Sequence, residues 1–169
     1  MKKLRVYLFC AACLALISWD RATKDMAIEH LKNKAPVSYL HNTIQLMYAE
    51  NTGAAMSLGD ALPKTLNVVL LGVLPLALLV GGFIYTIKRS KDLSFLRLFS
   101  LALIISGGLG NISDRLLHDR HVTDFIFIDL KSVHTGIFNF ADVFVSFGVI
   151  LFLISSYQRK KTIREESYS

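Results

Sequence analysis

Cysteine is nearly absent from this chain of 169 residues: there are two, Cys10 and Cys13, close together in one apolar block. So few exclude a disulfide framework or a cysteine metal site and leave two small residues packed in a helix. Charge is scarce as well, 19% of residues against 53% apolar, a balance too rich for an average soluble protein. Several chemistries lack their motifs. His30, His41, His118, His121 and His134 show no HExxH or comparable metal spacing, and His118 with His121 has no third ligand. There is no GxSxG elbow and no phosphate-cradling glycine loop. Serine–lysine catalysis would have Lys24 as its only lysine, and no serine motif accompanies it. No internal repeat or low-complexity segment occurs. The expectation is therefore a protein without metal or cofactor.

What the chain does have is long apolar blocks with basic clusters between them. Lys2, Lys3 and Arg5 precede the first block; Lys88, Arg89, Lys91 and Arg97 fall between the second and third; Arg159, Lys160, Lys161 and Arg164 follow the fourth. With an even number of crossings these clusters share one side. The positive-inside rule then puts both termini in the cytoplasm. The net charge of +6 reads as topology and contact with anionic lipid, with no nucleic-acid partner. Lys2-Lys3 and Ala11-Ala12-Cys13 superficially resemble a lipoprotein signal, but the apolar run continues past Cys13 to Trp19, so a retained membrane helix is expected. The sequence predicts one membrane-embedded domain over 1–169, with spans near 4–24, 64–87, 95–116 and 139–157. Extracytoplasmic loops over 25–63 and 117–138 are expected to form a small β-sheet, from strand-like pieces at 37–40, 44–48 and 122–130. Pro75 is expected to kink the second span.

Every notable polar cluster falls at one end of these spans. Asp142 opens the last block, where a helix N-terminus favours a carboxylate; it reads equally as a capping charge. Asn139 could cap that helix or hold a substrate carbonyl. Asp124 lies between apolar neighbours that would raise its pKa, although a lone loop aspartate is usually solvated. Asn111, Asp114 and Arg115 share one helix end, Arg115 reading as part of a helix-end salt bridge and hydrogen-bond network and Asp114 as a rival to Asp124. Asp20 and Lys24 form an acid–base pair one turn apart, and Asn51-Thr-Gly53 reads as a turn beside a peptide-pairing edge. Carboxylates at membrane depth are costly, so each is a functional-site hypothesis with a partner to be named. Two that approach each other share a proton and divide into acid and base.

Five motifs, in order, resemble the bacterial lipoprotein signal peptidase family, signal peptidase II: Asp20-x-x-Thr-Lys24, Asn51-Thr-Gly-Ala-Ala55 with Ser57, Gly110-Asn-x-x-Asp-Arg115, Val122-x-Asp-Phe125 and Phe138-Asn-x-Ala-Asp142. The resemblance implies an α-helical membrane aspartyl endopeptidase with four transmembrane helices and a small extracytoplasmic β-sheet cradle. It implies a diacylglyceryl-modified prolipoprotein as substrate, cut just before the lipidated cysteine. It assigns the catalytic pair to Asp124 and Asp142. Asn51, Gly53, Asn111, Asp114, Arg115, Asn139 and Ala141 become substrate-binding or supporting residues, and Asp20 and Lys24 a structural or binding pair. Arg21, Met56 and Val143 depart from the usual pattern without removing a catalytic group. The expected setting is the bacterial inner membrane, with the site near the outer face, membrane lipids around it and a monomer as the working form.

Two other classes give different expectations. A carrier or proton relay using the same acids needs polar residues through the middle of its spans, whereas blocks two and four are apolar at their centres. A structural membrane subunit would tie the acids to assembly and to no reaction.

Overall fold

The computed structural model describes residues 2–53 and 63–166. Among these described residues, four helices are long and apolar enough to cross a membrane: Lys2–Leu31, Thr65–Arg89, Phe95–Leu117 and Phe140–Gln158. A three-stranded antiparallel sheet accompanies them. Of the second motif, Ala54, Ala55, Met56 and Ser57 lie outside the described residues.

The first helix, α1 (Lys2–Leu31), has 30 residues and runs well past the expected end at residue 24. No glycine or proline interrupts it before Pro36. It stops where Asn33 takes a left-handed conformation (φ 61°), an end that asparagine tolerates better than most residues. At about 1.5 Å per residue it is roughly 45 Å long, more than a bilayer core needs, so its last turns project towards the sheet.

The sheet is formed by β1 (Val37–Tyr39), β2 (Ile44–Asn51) and β3 (Val122–Ile128), in spatial order β1-β2-β3. Leu40, His41 and Asn42, all at positive φ, make the turn from β1 to β2. The register pairs Ala49 with Asp124 and Asn51 with Val122, with an irregularity between Leu46 and Ala49. Alternate residues of a strand share a face, so Asn51 and Asp124 are diagonal neighbours on one side of the sheet.

The second span comprises α2 (Lys64–Val68), a π-helical turn at Val69–Val73 and α3 (Leu74–Arg89). At Pro75, where a kink was expected, the structure has that wide turn just before the proline. Proline has no N–H to continue the i→i−4 ladder, and a π turn is one way to accommodate the loss. α4 (Phe95–Leu117) starts at Ser94, whose hydroxyl accepts the N–H of Arg97 at 3.2 Å, and it contacts α1, α3 and α5. α5 is Phe140–Glu166.

Glycines allow the closest helix approaches. A Cβ on Gly107 would strike the backbone carbonyl of Ala141, and one on Gly148 would come within 2.9 Å of the Ser100 carbonyl. Much of the lateral surface is exposed and apolar, as at Leu14, Leu78 and Ile150, which suits contact with lipid.

Side-chain contacts identify the two ends of the bundle. Arg5 Nη1 donates to the carbonyls of Ser90, at 2.9 Å, and Leu93, at 2.8 Å, tying the start of α1 to the loop before α4. Arg97 Nη2 donates to Ser156 Oγ at 2.8 Å, which adds the distal part of α5 to the same end. The sheet and nearly all the acidic motif residues lie at the other end.

Candidate active site

The approach to α5 is pinned to β3 before the helix begins. Phe138 donates its N–H to the Ile126 carbonyl at 2.9 Å, and its own carbonyl accepts the N–H of Ile126 at 2.8 Å. The next residue, Asn139, is therefore held beside Asp124. Asn139 then caps α5. Its Oδ1 accepts the backbone N–H of Asp142 at 3.1 Å, while Asp142 Oδ2 accepts the backbone N–H of Asn139 at 3.1 Å. This reciprocal capping box satisfies groups that a helix start leaves without partners. It also fixes Asp142 in the first turn, half-buried and facing a cavity.

Asp124 is far more enclosed, at 2% exposure. Its Oδ1 accepts from Asn139 Nδ2 at 2.6 Å and its Oδ2 from Asn51 Nδ2 at 3.0 Å. Burial pushes its carboxyl up from 3.8 to about 6; the amide of Asn51 opposes this, the neighbouring Asp142 adds to it, and Asn139 and Lys24 oppose it. On the other side, Asp142 Oδ1 accepts from Asn111 Nδ2 at 2.8 Å. The two aspartates are thus joined through one residue, Asn139, which touches both.

Beneath this layer lies a buried charge network. Lys24 is 0% exposed and donates to three acceptors, matching the three protons of an ammonium. These are Asp20 Oδ2 at 2.9 Å, Asp114 Oδ2 at 3.0 Å and Asn111 Oδ1 at 3.0 Å. The remaining oxygens are also occupied. Asp20 Oδ1 accepts the backbone N–H of Ala141 at 2.9 Å, Asp114 Oδ1 accepts from Arg21 at 3.1 Å, and Asp114 Oδ2 also takes the N–H of Thr123 at 3.2 Å. One cluster therefore connects α1, α4, β3 and the first turn of α5. Satisfaction of this kind is what allows charges to remain buried.

Of the expected helix-end salt bridge and hydrogen-bond network, Arg115 makes the hydrogen bonds, to the Asn111 carbonyl at 3.4 Å and beyond, but no ion pair among the described residues. Its guanidinium reaches to the Gly53 carbonyl at 2.7 Å, and Asp114 pairs with Lys24 and Arg21. The reason is angular: one position of helical rotation separates Asp114, which faces α1, from Arg115, which faces the end of β2. Gly53 is itself held by its N–H on Asn51 Oδ1, at 3.0 Å.

Asn51, Asn111, Arg115, Asp124 and Asp142 line one cavity of about 730 Å³. Its other walls are mostly apolar, with Thr135 and Ser146 among them, and continue along α5 as Val143, Phe147 and Ile150, with Leu71 and Pro75 opposite. From Asp142 to Ile150 is about 12 Å along the helix axis. Such a cavity joins a polar, hydrogen-bonding end to an apolar trough.

All eleven residues singled out from the sequence fall in this region, in two layers. Asp124, Asp142, Asn51, Asn111, Asn139, Gly53 and Arg115 surround the cavity end; Asp20, Lys24, Asp114 and Ala141 form the support beneath. Three participants were given no site role from the sequence. Arg21 was a departure from pattern and proves to be a second cation on Asp114. Thr123 supplies a backbone N–H to Asp114 and a carbonyl that accepts from Asn139 at 3.3 Å. Gly110 faces Asp20 so closely that a Cβ would collide with its carboxylate. A backbone contact leaves no side-chain signature, whereas the glycine directly before Asn111 was a signal available in the sequence.

A family model described as signal peptidase (SPase) II matches residues 12–158. A lipoprotein signal peptidase of Clostridium tetani is 38% identical over 136 residues, covering 80% of this chain and 83% of the relative. Another, from Thermodesulfovibrio yellowstonii, is 32% identical over 156 residues, covering 92% of this chain and 99% of the relative. A solved structure described as a bacterial membrane enzyme superposes with a TM-score of 0.79 at 22% identity, covering 92% of this chain and 90% of that one.

Proposed function

Since the chain belongs to the signal peptidase II family, a family of peptidases, we propose that it removes the signal peptide from diacylglyceryl-modified prolipoproteins by water attack at an aspartate pair, Asp124 and Asp142. The observation that carries this is the single asparagine between the two carboxylates: Asn139 Nδ2 reaches Asp124 at 2.6 Å, and its backbone N–H reaches Asp142 at 3.1 Å. Two acids held this closely at the polar end of a cavity can divide the work of acid and base.

One carboxylate takes a proton from water as its oxygen attacks the scissile carbonyl. The other, protonated, gives its proton to the carbonyl oxygen, and a tetrahedral diol forms. The C–N bond then breaks as the leaving nitrogen receives a proton, and no acyl-enzyme is made.

The shape and lining of the cavity support this substrate class. Its apolar trough along Val143, Phe147 and Ile150 suits acyl chains lying in the bilayer. The cut before the lipidated cysteine follows if the chains seat there and leave the adjoining peptide bond at the carboxylates. Asn51 and Arg115, with Gly53 behind them, would hold the peptide beside the sheet. By the positive-inside rule, the basic end carrying Arg5, Arg89 and Lys91 faces the cytoplasm, with both termini there and the site near the outer face of the inner membrane.

The test is cleavage of a lipidated prolipoprotein by purified wild type, Asp124→Asn and Asp142→Asn, with folding verified by thermal melting. Both variants are expected to lose at least about a hundredfold in rate. Full activity in either one rejects the pair.

A further inference from the structure

Two asparagine amides separate the buried charge network from the aspartate pair, and their orientations are set by groups that cannot exchange roles. Lys24 can only donate, so the Asn111 atom 3.0 Å from it must be Oδ1. Asn139 Nδ2 also points at that oxygen, at 3.2 Å. The Asn111 NH2 group is therefore turned to Asp142, at 2.8 Å. Asn139 is fixed in the same way: its Oδ1 meets the backbone N–H of Asp142, and its Nδ2 lies near the Thr123 carbonyl, which can only accept.

The two carboxylates then differ. Asp142 is half-buried at the start of α5, takes a backbone N–H, and receives an amide that Lys24 polarises from behind. A helix N-terminus favours negative charge. Asp124 is 2% exposed, lies in a strand and not in the first turn of a helix, and receives two amides, from Asn51 and Asn139. Among the described residues, the other charged groups around the pair are Asp20 from α1 and Asp114 and Arg115 from α4, and the two acids of the network already hold Lys24.

We propose that Lys24 is a positioning residue which, by locking the Asn111 amide, makes Asp142 the ionised member of the pair and leaves Asp124 to carry the proton. This rests on the peptidase reading above and assigns its roles. Asp142 takes the proton from water as the water oxygen bonds to the carbonyl carbon, while Asp124 gives its proton to the carbonyl oxygen. When the C–N bond breaks, Asp142 passes its proton to the leaving nitrogen, and a diol hydroxyl returns one to Asp124. Both acids end as they began. The elevated carboxyl of Asp124 agrees with this division.

The test is the pH dependence of kcat and kcat/KM for cleavage of a lipidated prolipoprotein by full-length protein. The variants are Lys24→Met and Asn111→Asp. The second keeps the shape of Asn111 and a partner for Lys24 but offers Asp142 no donor, so it remains informative if Lys24→Met does not fold. Both variants that fold are expected to move the acidic limb upward by about one pH unit, with kcat reduced about tenfold or more and KM within about threefold. A uniform loss with no movement of the limb would mean that Lys24 is structural only, and movement of the basic limb alone would reverse the two roles; either result overturns the assignment. If Asp124→Asn and Asp142→Asn are inactive while these profiles are unmoved, the role assignment fails and the aspartate pair stands. Full activity in either aspartate variant removes the pair itself.

Discussion

Asn139 and Asp142 cap each other across the first turn of α5, each backbone N–H donating to the other's side-chain oxygen at 3.1 Å. The same asparagine spends its amide on Asp124, so helix capping and the geometry of the aspartate pair depend on one residue.

This makes the two roles separable. Asn139→Ala is expected to lower stability by about 1 kcal/mol through loss of the cap. Asn139→Ser restores a cap but not the amide on Asp124, so it should recover melting temperature while cleavage stays low. Recovery of activity along with stability would show that only the cap matters.

The buried network should be brittle. Asp20→Ala removes one of the two carboxylates on a fully buried Lys24 and leaves the Ala141 N–H without its acceptor. The expected cost is about 3–5 kcal/mol, the range for breaking a buried pair from one side. Thermal or denaturant unfolding of the detergent-solubilised protein measures it; a change near zero would contradict the network.

Gly110 offers a steric test of the same cluster. A methyl group there meets the Asp20 carboxylate and comes within 3.4 Å of the Ala141 Cβ. Gly110→Ala is expected to destabilise by about 1–3 kcal/mol and to reduce cleavage, although it removes no polar group.

Arg21 stands in contrast. Its side chain is 37% exposed, and it bridges Asp114 and Asp25 at the edge of the cluster. Lys24 remains on Asp114 when Arg21 is lost. Arg21→Gln is therefore expected to cost less than about 1 kcal/mol and to leave kcat within about threefold. A collapse of activity would give Arg21 a larger role than its position implies.

Stability should also report the Asp124 proton. A carboxyl raised from 3.8 to about 6 on folding binds its proton more tightly in the folded state, so the stability it contributes is full below 3.8 and is lost as pH rises through about 6. Melting temperature is expected to fall between pH 5 and pH 7.5, and to fall less in Asp124→Asn. An equal slope in both proteins would place the titration on another group.

Much of this protein was legible in one dimension. Apolar blocks of span length, with basic residues at alternate junctions, determine four helices and which ends lie together, because neither charge nor unpaired backbone sits cheaply in lipid. The β-branched and aromatic runs at 44–48 and 122–130 likewise indicated strands. Sequence spacing could not say which carboxylates meet. Asp114 and Asp124 were rivals at that level, and Arg115 looked like a partner for Asp114. Their places depend on the rotation of α4, on the β2–β3 register that sets Asn51 diagonal to Asp124, and on the Phe138 bridge that delivers Asn139 to both aspartates. Such contacts join residues up to 121 positions apart, as at Asp20 and Ala141, and exist only once helix faces and strand register have been chosen by packing. Local composition determines the elements. Tertiary structure alone puts Asp114 beside Lys24 and Asp124 beside Asn139.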